Sequence, residues 1–218
     1  MKDGRLKEQY KRLISYLIAG GDMYGIKRHG SLHMKGHGNV RYVYPYRKMK
    51  TVKGRDDPDS VRIRRFWRFM DGDTRYEPYF YDIYLRAVRQ ILWITKAAGP
   101  FEIATVPKSD PDKADPVAKL CSKMAAREKF ILGRAIDGTD LLRRTKKIKP
   151  VHEGVFYTET ELEATMEVTR PLKAGTVVLV DDLIFTGKSI EACKTLLKRA
   201  GAKRVYAVCL YGYRQGED

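Results

Sequence analysis

Two adjacent carboxylates stand directly after a short apolar run. Asp181 and Asp182 follow Val177–Val180, whose mostly β-branched residues predict a buried strand. A few residues further on, Thr186–Ser189 combines two hydroxyls, a glycine and a lysine, and a helical pattern follows it. Backbone N–H groups at a helix start bind anions, and a glycine lets the anion approach the backbone closely. This spacing suits a phosphorylated sugar, with its phosphate on the loop and its hydroxyls on the acids.

The end of this segment also looks like a nucleotide-binding P-loop, because it reads Gly-Lys-Ser at positions 187–189. A P-loop needs a glycine five residues before its second glycine, and that position is Asp182. The sequence therefore argues against a P-loop. An ordinary strand–turn–helix with a capping aspartate is the plainer alternative, but it gives the paired acids and the Thr-Gly-Lys-Ser run no role.

The whole segment resembles the phosphoribosyl-pyrophosphate (PRPP) signature of type I phosphoribosyltransferases. That signature has four apolar residues, two acids, two more apolar residues, a small residue, and then Thr-Gly-x-Ser or Thr. The run from Val177 to Ser189 agrees with it except at Phe185, where the family usually has a small residue. The resemblance implies transfer of a phosphoribosyl group from PRPP to a nitrogenous base, or the reverse reaction, with pyrophosphate as leaving group.

The resemblance also implies roles for the residues of the signature. Asp181 and Asp182 are implied to be catalytic, orienting the ribose and the shell of a Mg²⁺ cofactor through ribose, pyrophosphate and water. The PRPP 5′-phosphate is implied to bind the loop made of Phe185, Thr186, Gly187, Lys188 and Ser189. Because the sugar passes through an oxocarbenium-like state, we expect catalysis to consist mostly of positioning and charge stabilisation.

A second loop of the site is implied after the predicted strand Phe101–Val106. The resemblance covers about residues 80–218, and in the family the first core strand leads into a pyrophosphate-binding loop. Lys108 and Ser109 lie at that place and are candidates for PRPP binding through the pyrophosphate. A plain turn is the alternative interpretation.

A mobile loop that closes over the sugar is implied from position 143 to about Glu161. Within its basic start, Arg144 and Lys146 are candidate catalytic cations that neutralise the leaving pyrophosphate. The pattern Leu-Leu-Arg-Arg at 141–144, followed by His-Glu-Gly at 152–154, looks like the competence-protein (ComF-like) and orphan branch of the family. A solvated basic loop is the alternative.

The elements around the motif alternate between strand and helix patterns. Strands are predicted at Phe101–Val106, 130–132, Thr176–Val180 and Arg204–Tyr211, and helices at 113–128 and 188–200. This order predicts an α/β fold, a parallel sheet flanked by helices, with its ligand at the carboxyl ends of the strands. Earlier in the chain we predict helices over 5–19, 79–98 and a stretch ending at Met70, and a strand at Val40–Tyr44. We divide the chain into a basic N-terminal extension or possible base-covering hood, 1–75, and a phosphoribosyltransferase core, 76–218.

Charge is concentrated in the N-terminal third of the chain. Residues 1–70 hold 18 Lys and Arg against 6 Asp and Glu, a net charge of +12 out of +16 for the whole chain. Such a surface attracts phosphates, although a solvated basic face is the plain alternative. Some proteins of this fold are regulators that sense PRPP or nucleotides and bind nucleic acid. A non-catalytic regulator or a DNA- or RNA-binding, competence-like protein is therefore the second hypothesis.

The composition of the 218 residues excludes several classes of protein. Apolar residues make up 43% and aromatic residues 11%, too much for a wholly disordered chain. The longest apolar runs are too short to cross a bilayer and no secretory signal is visible, so we expect no membrane partner. Three scattered cysteines argue against a disulfide framework and favour the cytoplasm. The resemblance adds the expectation of a homodimer.

Histidines and tyrosines of the N-terminal part offer weaker hypotheses. His29, His33 and His37 recur every four residues, as ligands on a metal-binding helix face do. Glycines at 30, 36 and 38 disfavour that helix, so exposed loop histidines are the preferred interpretation. Tyrosines near basic residues can stack a base or single-stranded nucleic acid, although packing is the preferred interpretation.

Overall fold

The computed structural model describes residues 33–37, 40–44, 58–150, 155–184 and 186–212. Its strands are β1 (His33–His37), β2 (Val40–Tyr44), β3 (Phe101–Thr105), β4 (Ala135–Asp137), β5 (Leu142–Arg144), β6 (Met166–Val168), β7 (Thr176–Ile184) and β8 (Arg204–Gly212). Its α-helices are α1 (Pro58–Met70), α2 (Glu77–Ile94), α3 (Pro116–Leu132), α4 (Glu159–Glu163) and α5 (Lys188–Arg199). The helix predicted over 5–19 lies outside the described residues.

One six-stranded sheet, in the order β1-β2-β8-β7-β3-β4, forms the centre of the fold. The strands from β2 to β4 in this order are parallel, and β1 pairs antiparallel with β2 at one edge. A separate antiparallel ribbon is formed by β5 and β6. The predicted parallel sheet flanked by helices is confirmed.

Side chains of β7 alternate between two cores. Val178 and Val180 pack with helices α1, α2 and α3 on one face of the sheet. Val177 and Leu179 pack on the other face with α5 and the β5–β6 ribbon. Because both faces are covered, the strand is apolar without interruption until it reaches the acids.

The N-terminal elements within the described residues also pack on this core. On α1, Phe66 contacts Phe80 of α2 and Tyr211 of β8, with ring centroids 5.8 and 5.2 Å apart. The division of the chain at 75/76 stays a prediction. None of the helices in the described ranges is both long and apolar enough to cross a membrane.

Three local predictions are wrong. The strand expected at 130–132 is the last turn of α3, which continues to Gly133, whose left-handed φ of 65° ends it; the strand follows at Ala135–Asp137. His33 and His37, for which exposed loop positions were the preferred interpretation, lie at the two ends of β1, and the alternative of a metal-binding helix face does not hold either. Arg144 belongs to β5, so the loop expected from position 143 starts later.

Candidate functional site

The carboxyl ends of β3 and β7 lie side by side. Thr105 pairs with Val180 in parallel register, and the Val106 N–H donates to the Val180 carbonyl at 3.1 Å. Asp181 and Asp182 follow within β7 itself, so the chain leaves β3 where the two acids begin. In parallel sheets, ligands bind at this carboxyl end of the strands.

Lys108, on the loop after β3, reaches across to β7. Its Nζ lies 2.7 Å from Asp182 Oδ2 and 4.0 Å from Asp115 Oδ1. Burial disfavours the charge of this ammonium, but the carboxylates of Asp182 and Asp115 outweigh burial and raise the pKa of Lys108 above its ordinary value. The structure thus brings together two of the predicted residues, Lys108 and Asp182, in one ion pair.

Asp181 is held by its own backbone and by a tyrosine. The Asp182 N–H donates to Asp181 Oδ1 at 2.9 Å, and the buried Tyr84 hydroxyl donates to the Asp181 carbonyl oxygen at 3.0 Å. Burial, and then the neighbouring carboxylate of Asp182, raise the pKa of Asp181 well above its ordinary value. One of the two adjacent acids therefore keeps its proton more readily than an exposed aspartate does.

Asp115 closes the loop that begins at Lys108. Its Oδ1 accepts hydrogen bonds from Val117 N at 2.9 Å and from Ala118 N at 3.2 Å, so it caps α3. Burial raises the pKa of Asp115, and the charge of Lys108 opposes that rise. The sequence interpretation missed Asp115, although aspartate directly before proline is a helix-start signal that marked it. Tyr84 is one of the tyrosines for which packing was the preferred interpretation, and no local pattern indicated its hydrogen bond to Asp181.

The predicted phosphate loop lies at the start of α5. Gly187 precedes the helix with a left-handed φ of 80°, a conformation that favours glycine, and it makes no side-chain cap. Within the described residues, the N–H groups of Gly187 and Ser189 donate no hydrogen bond, and Lys188 N reaches Thr186 Oγ1 only at 3.5 Å. These amides are therefore open to an anion at the helix N-terminus. Phe185 lies outside the described residues.

Of the two cations expected on the mobile loop, one is exposed and one is buried. Lys146 is exposed and forms no hydrogen bond or ion pair with the described part of the chain. Arg144 is only 5% exposed and lies behind the loop that carries Lys108, because the alternation along β5 turns it inward.

The start of the expected mobile loop contacts the loop after β3. The Ile148 N–H donates to the Ser109 carbonyl at 2.9 Å, and Lys147 Nζ lies 2.6 Å from Asp110 Oδ2. Ser109 is half-buried there. The two loops predicted to surround pyrophosphate are therefore neighbours. No local sequence pattern predicts that these two loops contact each other.

A shallow pocket of about 510 Å³ lies away from these residues. It is lined by Thr139, Asp140, Leu142, Arg143, Thr169 and Arg170. Its two arginines are already paired, Arg143 with Glu167 and Arg170 with Asp140. The pocket therefore presents no free charged group to select a ligand, and the carboxyl end of β7 is the better candidate site.

This fold and site define an α/β protein with a candidate anion-binding site at the carboxyl ends of its parallel strands. Residues 136–218 match the family model of the phosphoribosyl transferase domain. The match contains β7, its two acids and the start of α5, so this C-terminal part of the chain is similar to phosphoribosyl transferase domains.

Comparison with solved structures finds a purine phosphoribosyltransferase from Pyrococcus horikoshii Ot3. It is 18% identical, the similarity covers 64% of this chain and 92% of that chain, and the TM-score is 0.30. A similarity at that level does not bear on the substrate of this chain. None of the curated proteins compared with the chain matches it. The competence-protein branch stays a prediction.

Proposed function

We propose that the protein is a Mg²⁺-dependent phosphoribosyltransferase that transfers the phosphoribosyl group of PRPP to a nitrogenous base, or runs the reverse reaction. The observation that carries this proposal is the meeting of three features at one sheet edge. They are the adjacent acids of β7, the Lys108 ammonium paired with one of them, and the open amides at the start of α5. A phosphorylated sugar with a second anionic group would find a partner here for its phosphate, for its hydroxyls and for its second anion.

In this proposal the chain acts by positioning. The amides of Gly187 and Ser189 bind the 5′-phosphate, and Asp181 and Asp182 accept hydrogen bonds from the ribose hydroxyls. Lys108 moves from Asp182 to the pyrophosphate and stabilises the charge that develops as the bond to the anomeric carbon breaks. Lys146, exposed and unpaired within the described residues, is the second candidate cation for that charge.

The residues present fit a Mg²⁺ ion that is only partly held by the protein. No group of three or more His, Cys, Asp or Glu side chains within the described ranges forms a metal cage. Mg²⁺ is commonly bound by one or two carboxylates, with substrate phosphates and water completing its shell. Asp181 and Asp182 would orient it indirectly, through ribose hydroxyls, pyrophosphate and water, and the ion would neutralise part of the pyrophosphate charge.

Isothermal titration of PRPP, with and without Mg²⁺, tests the proposal. We expect Mg²⁺-dependent binding in the micromolar range. Pyrophosphate release in the presence of a panel of purine, pyrimidine and other nitrogenous bases would then identify the acceptor. Failure to bind PRPP under either condition would reject the proposal. Binding without release for any base would instead indicate a PRPP sensor.

A DNA- or RNA-binding role is the second candidate, favoured by the net charge of +12 in residues 1–70. Binding carried by these cations weakens steeply with salt, because it releases counterions from the nucleic acid. Titration of single-stranded and duplex oligonucleotides at several salt concentrations tests it. Absent or salt-insensitive binding would count against it.

A cytoplasmic location and a homodimer remain predictions. The three cysteines are buried and free.

A further inference from the structure

The loop after β3 is held from behind by one buried side chain. Arg144 Nε donates to the Lys108 carbonyl at 2.7 Å, and its Nη2 donates to the Pro107 carbonyl at 3.2 Å. Its Nη1 donates to the Thr165 hydroxyl, which itself donates to the Leu162 carbonyl at 2.7 Å. The guanidinium therefore joins two successive peptide carbonyls of this loop to the turn before β6.

Arg144 is an unusual choice for a purely structural contact. It is 5% exposed, and none of the ion pairs formed by described residues includes it. A buried charge without an opposite charge is costly to the fold. Burial accordingly lowers the pKa of Arg144, although a guanidinium stays charged at neutral pH. Only a guanidinium has the planar fork of N–H donors that reaches both carbonyls and Thr165 at once, so fixing these two carbonyls must serve a purpose.

The geometry of the peptide bond indicates that purpose. All peptide bonds of the described residues are trans, so the carbonyl of one residue and the N–H of the next point in opposite directions. With the Pro107 and Lys108 carbonyls turned to Arg144, the N–H groups of Lys108 and Ser109 face away from it. Neither N–H donates a hydrogen bond to any residue in the described ranges. Two successive free amides on the same side of a loop can both donate to one anion.

We propose that Arg144 is a positioning residue that binds the Pro107 and Lys108 carbonyls so that the Lys108 and Ser109 amides face the pyrophosphate of PRPP. This proposal rests on the proposed function. It places Arg144 behind the loop rather than in contact with the leaving group, and it assigns the pyrophosphate contacts to backbone amides and the Lys108 ammonium.

Arg144→Lys tests the proposal, because lysine keeps the charge but cannot donate to both carbonyls and to Thr165 at once. The two ligands to compare are PRPP and ribose 5-phosphate, each with Mg²⁺, since ribose 5-phosphate lacks only the pyrophosphate. We expect Arg144→Lys to weaken PRPP binding roughly tenfold or more. Ribose 5-phosphate binding should change by less than about twofold, because its contacts lie elsewhere.

Arg143→Lys is the matched control. Arg143 is the preceding residue of β5, but it is 69% exposed and pairs with Glu167. Arg143→Lys should leave the affinities for PRPP and for ribose 5-phosphate unchanged. If the wild-type protein binds PRPP and Arg144→Lys binds it equally well, the role of Arg144 is rejected while the proposed function stands. If the wild-type protein binds neither ligand, the proposed function fails and this proposal with it.

A measurement on the wild-type protein keeps the test decisive if Arg144→Lys does not fold. The amide resonances of Lys108 and Ser109 can be followed by ¹⁵N NMR while Mg²⁺ and inorganic pyrophosphate are added. We expect both amide protons to move downfield, as amides do when they donate to an anion. Unchanged resonances for these two amides at saturating pyrophosphate would overturn the proposal.

Discussion

Lys108 Nζ lies 2.7 Å from Asp182 Oδ2, although the two residues are 74 positions apart in the sequence. The ion pair joins the loop after β3 to the carboxyl end of β7. About three quarters of each side chain is buried, since the exposed fractions are 23% and 24%. The cation proposed for pyrophosphate and an acid proposed for ribose thus neutralise each other until a substrate replaces their contact.

Asp182→Asn should sharply reduce turnover. Asparagine keeps the shape of the side chain. It removes the charge that pairs with Lys108 and that is proposed to accept a hydrogen bond from a ribose hydroxyl. We expect a loss of pyrophosphate release on the order of a hundredfold or more, with an unchanged circular dichroism spectrum. Asp112→Asn, an exposed acid on the same loop as Lys108, is the control and should keep full activity. Near-normal turnover of Asp182→Asn would contradict the assigned role.

Asp181→Asn should be more stable than the wild-type protein at neutral pH. The pKa of Asp181 is raised in the folded state, so folding favours its protonated form. The stability that this provides is complete below the unfolded pKa of about 3.9. It is lost as the pH rises through the folded pKa, where the half-buried carboxylate ionises.

Urea unfolding of both proteins across a pH series measures this difference. The advantage of Asp181→Asn should be largest at neutral pH and should shrink as the pH falls towards the unfolded value. A variant that is equally or less stable than the wild type throughout would show that ionised Asp181 is well compensated in the fold. The variant should also lose activity, because active sites commonly exchange stability for function.

Asp115→Ala and Asp115→Asn separate two roles of one side chain. Alanine removes the cap from Val117 N and Ala118 N, which should lower the free energy of unfolding by about 1 kcal/mol. Asparagine keeps a capping oxygen and removes only the charge 4.0 Å from Lys108. Thermal and urea unfolding should therefore find Asp115→Asn close to wild type. Equal losses for both variants would mean that the charge, not the cap, stabilises the loop.

Gly187→Ala should weaken both folding and PRPP binding. Its φ of 80° is left-handed, and a side chain there costs about 1 kcal/mol. Relaxation of that strain would also move the amides proposed for the 5′-phosphate. Gly187→Asn should recover part of the stability, since asparagine tolerates this conformation better.

Gly201→Ala is the control for this prediction. Gly201 has a φ of 102° just after the opposite end of α5, with open space around it, so alanine should cost comparable stability. Its PRPP affinity, measured by titration, should equal that of the wild type. Equal losses of affinity in the two alanine variants would indicate general destabilisation instead of a local phosphate contact.

The sequence by itself determined the features that depend on neighbouring residues. The apolar run of β7 and the acids after it were legible because a strand buried on both faces needs no polar alternation. The helix after Gly187 could be predicted from its apolar periodicity, which also depends only on neighbouring residues. The error at 130–132 has a local cause too, since a short apolar run at the end of a helix cannot be told from a strand by periodicity.

Only the tertiary structure decided which distant residues meet. The parallel register that sets Thr105 beside Val180 brings Lys108 to Asp182, and no local pattern encodes that register. The adjacent residues Arg143 and Arg144 cannot be told apart from sequence. The alternation of side chains along β5 exposes Arg143 and buries Arg144 against the loop after β3. Strand and helix patterns are short-range, whereas the candidate site depends on long-range packing, so only the fold decided which of the predicted residues lie together.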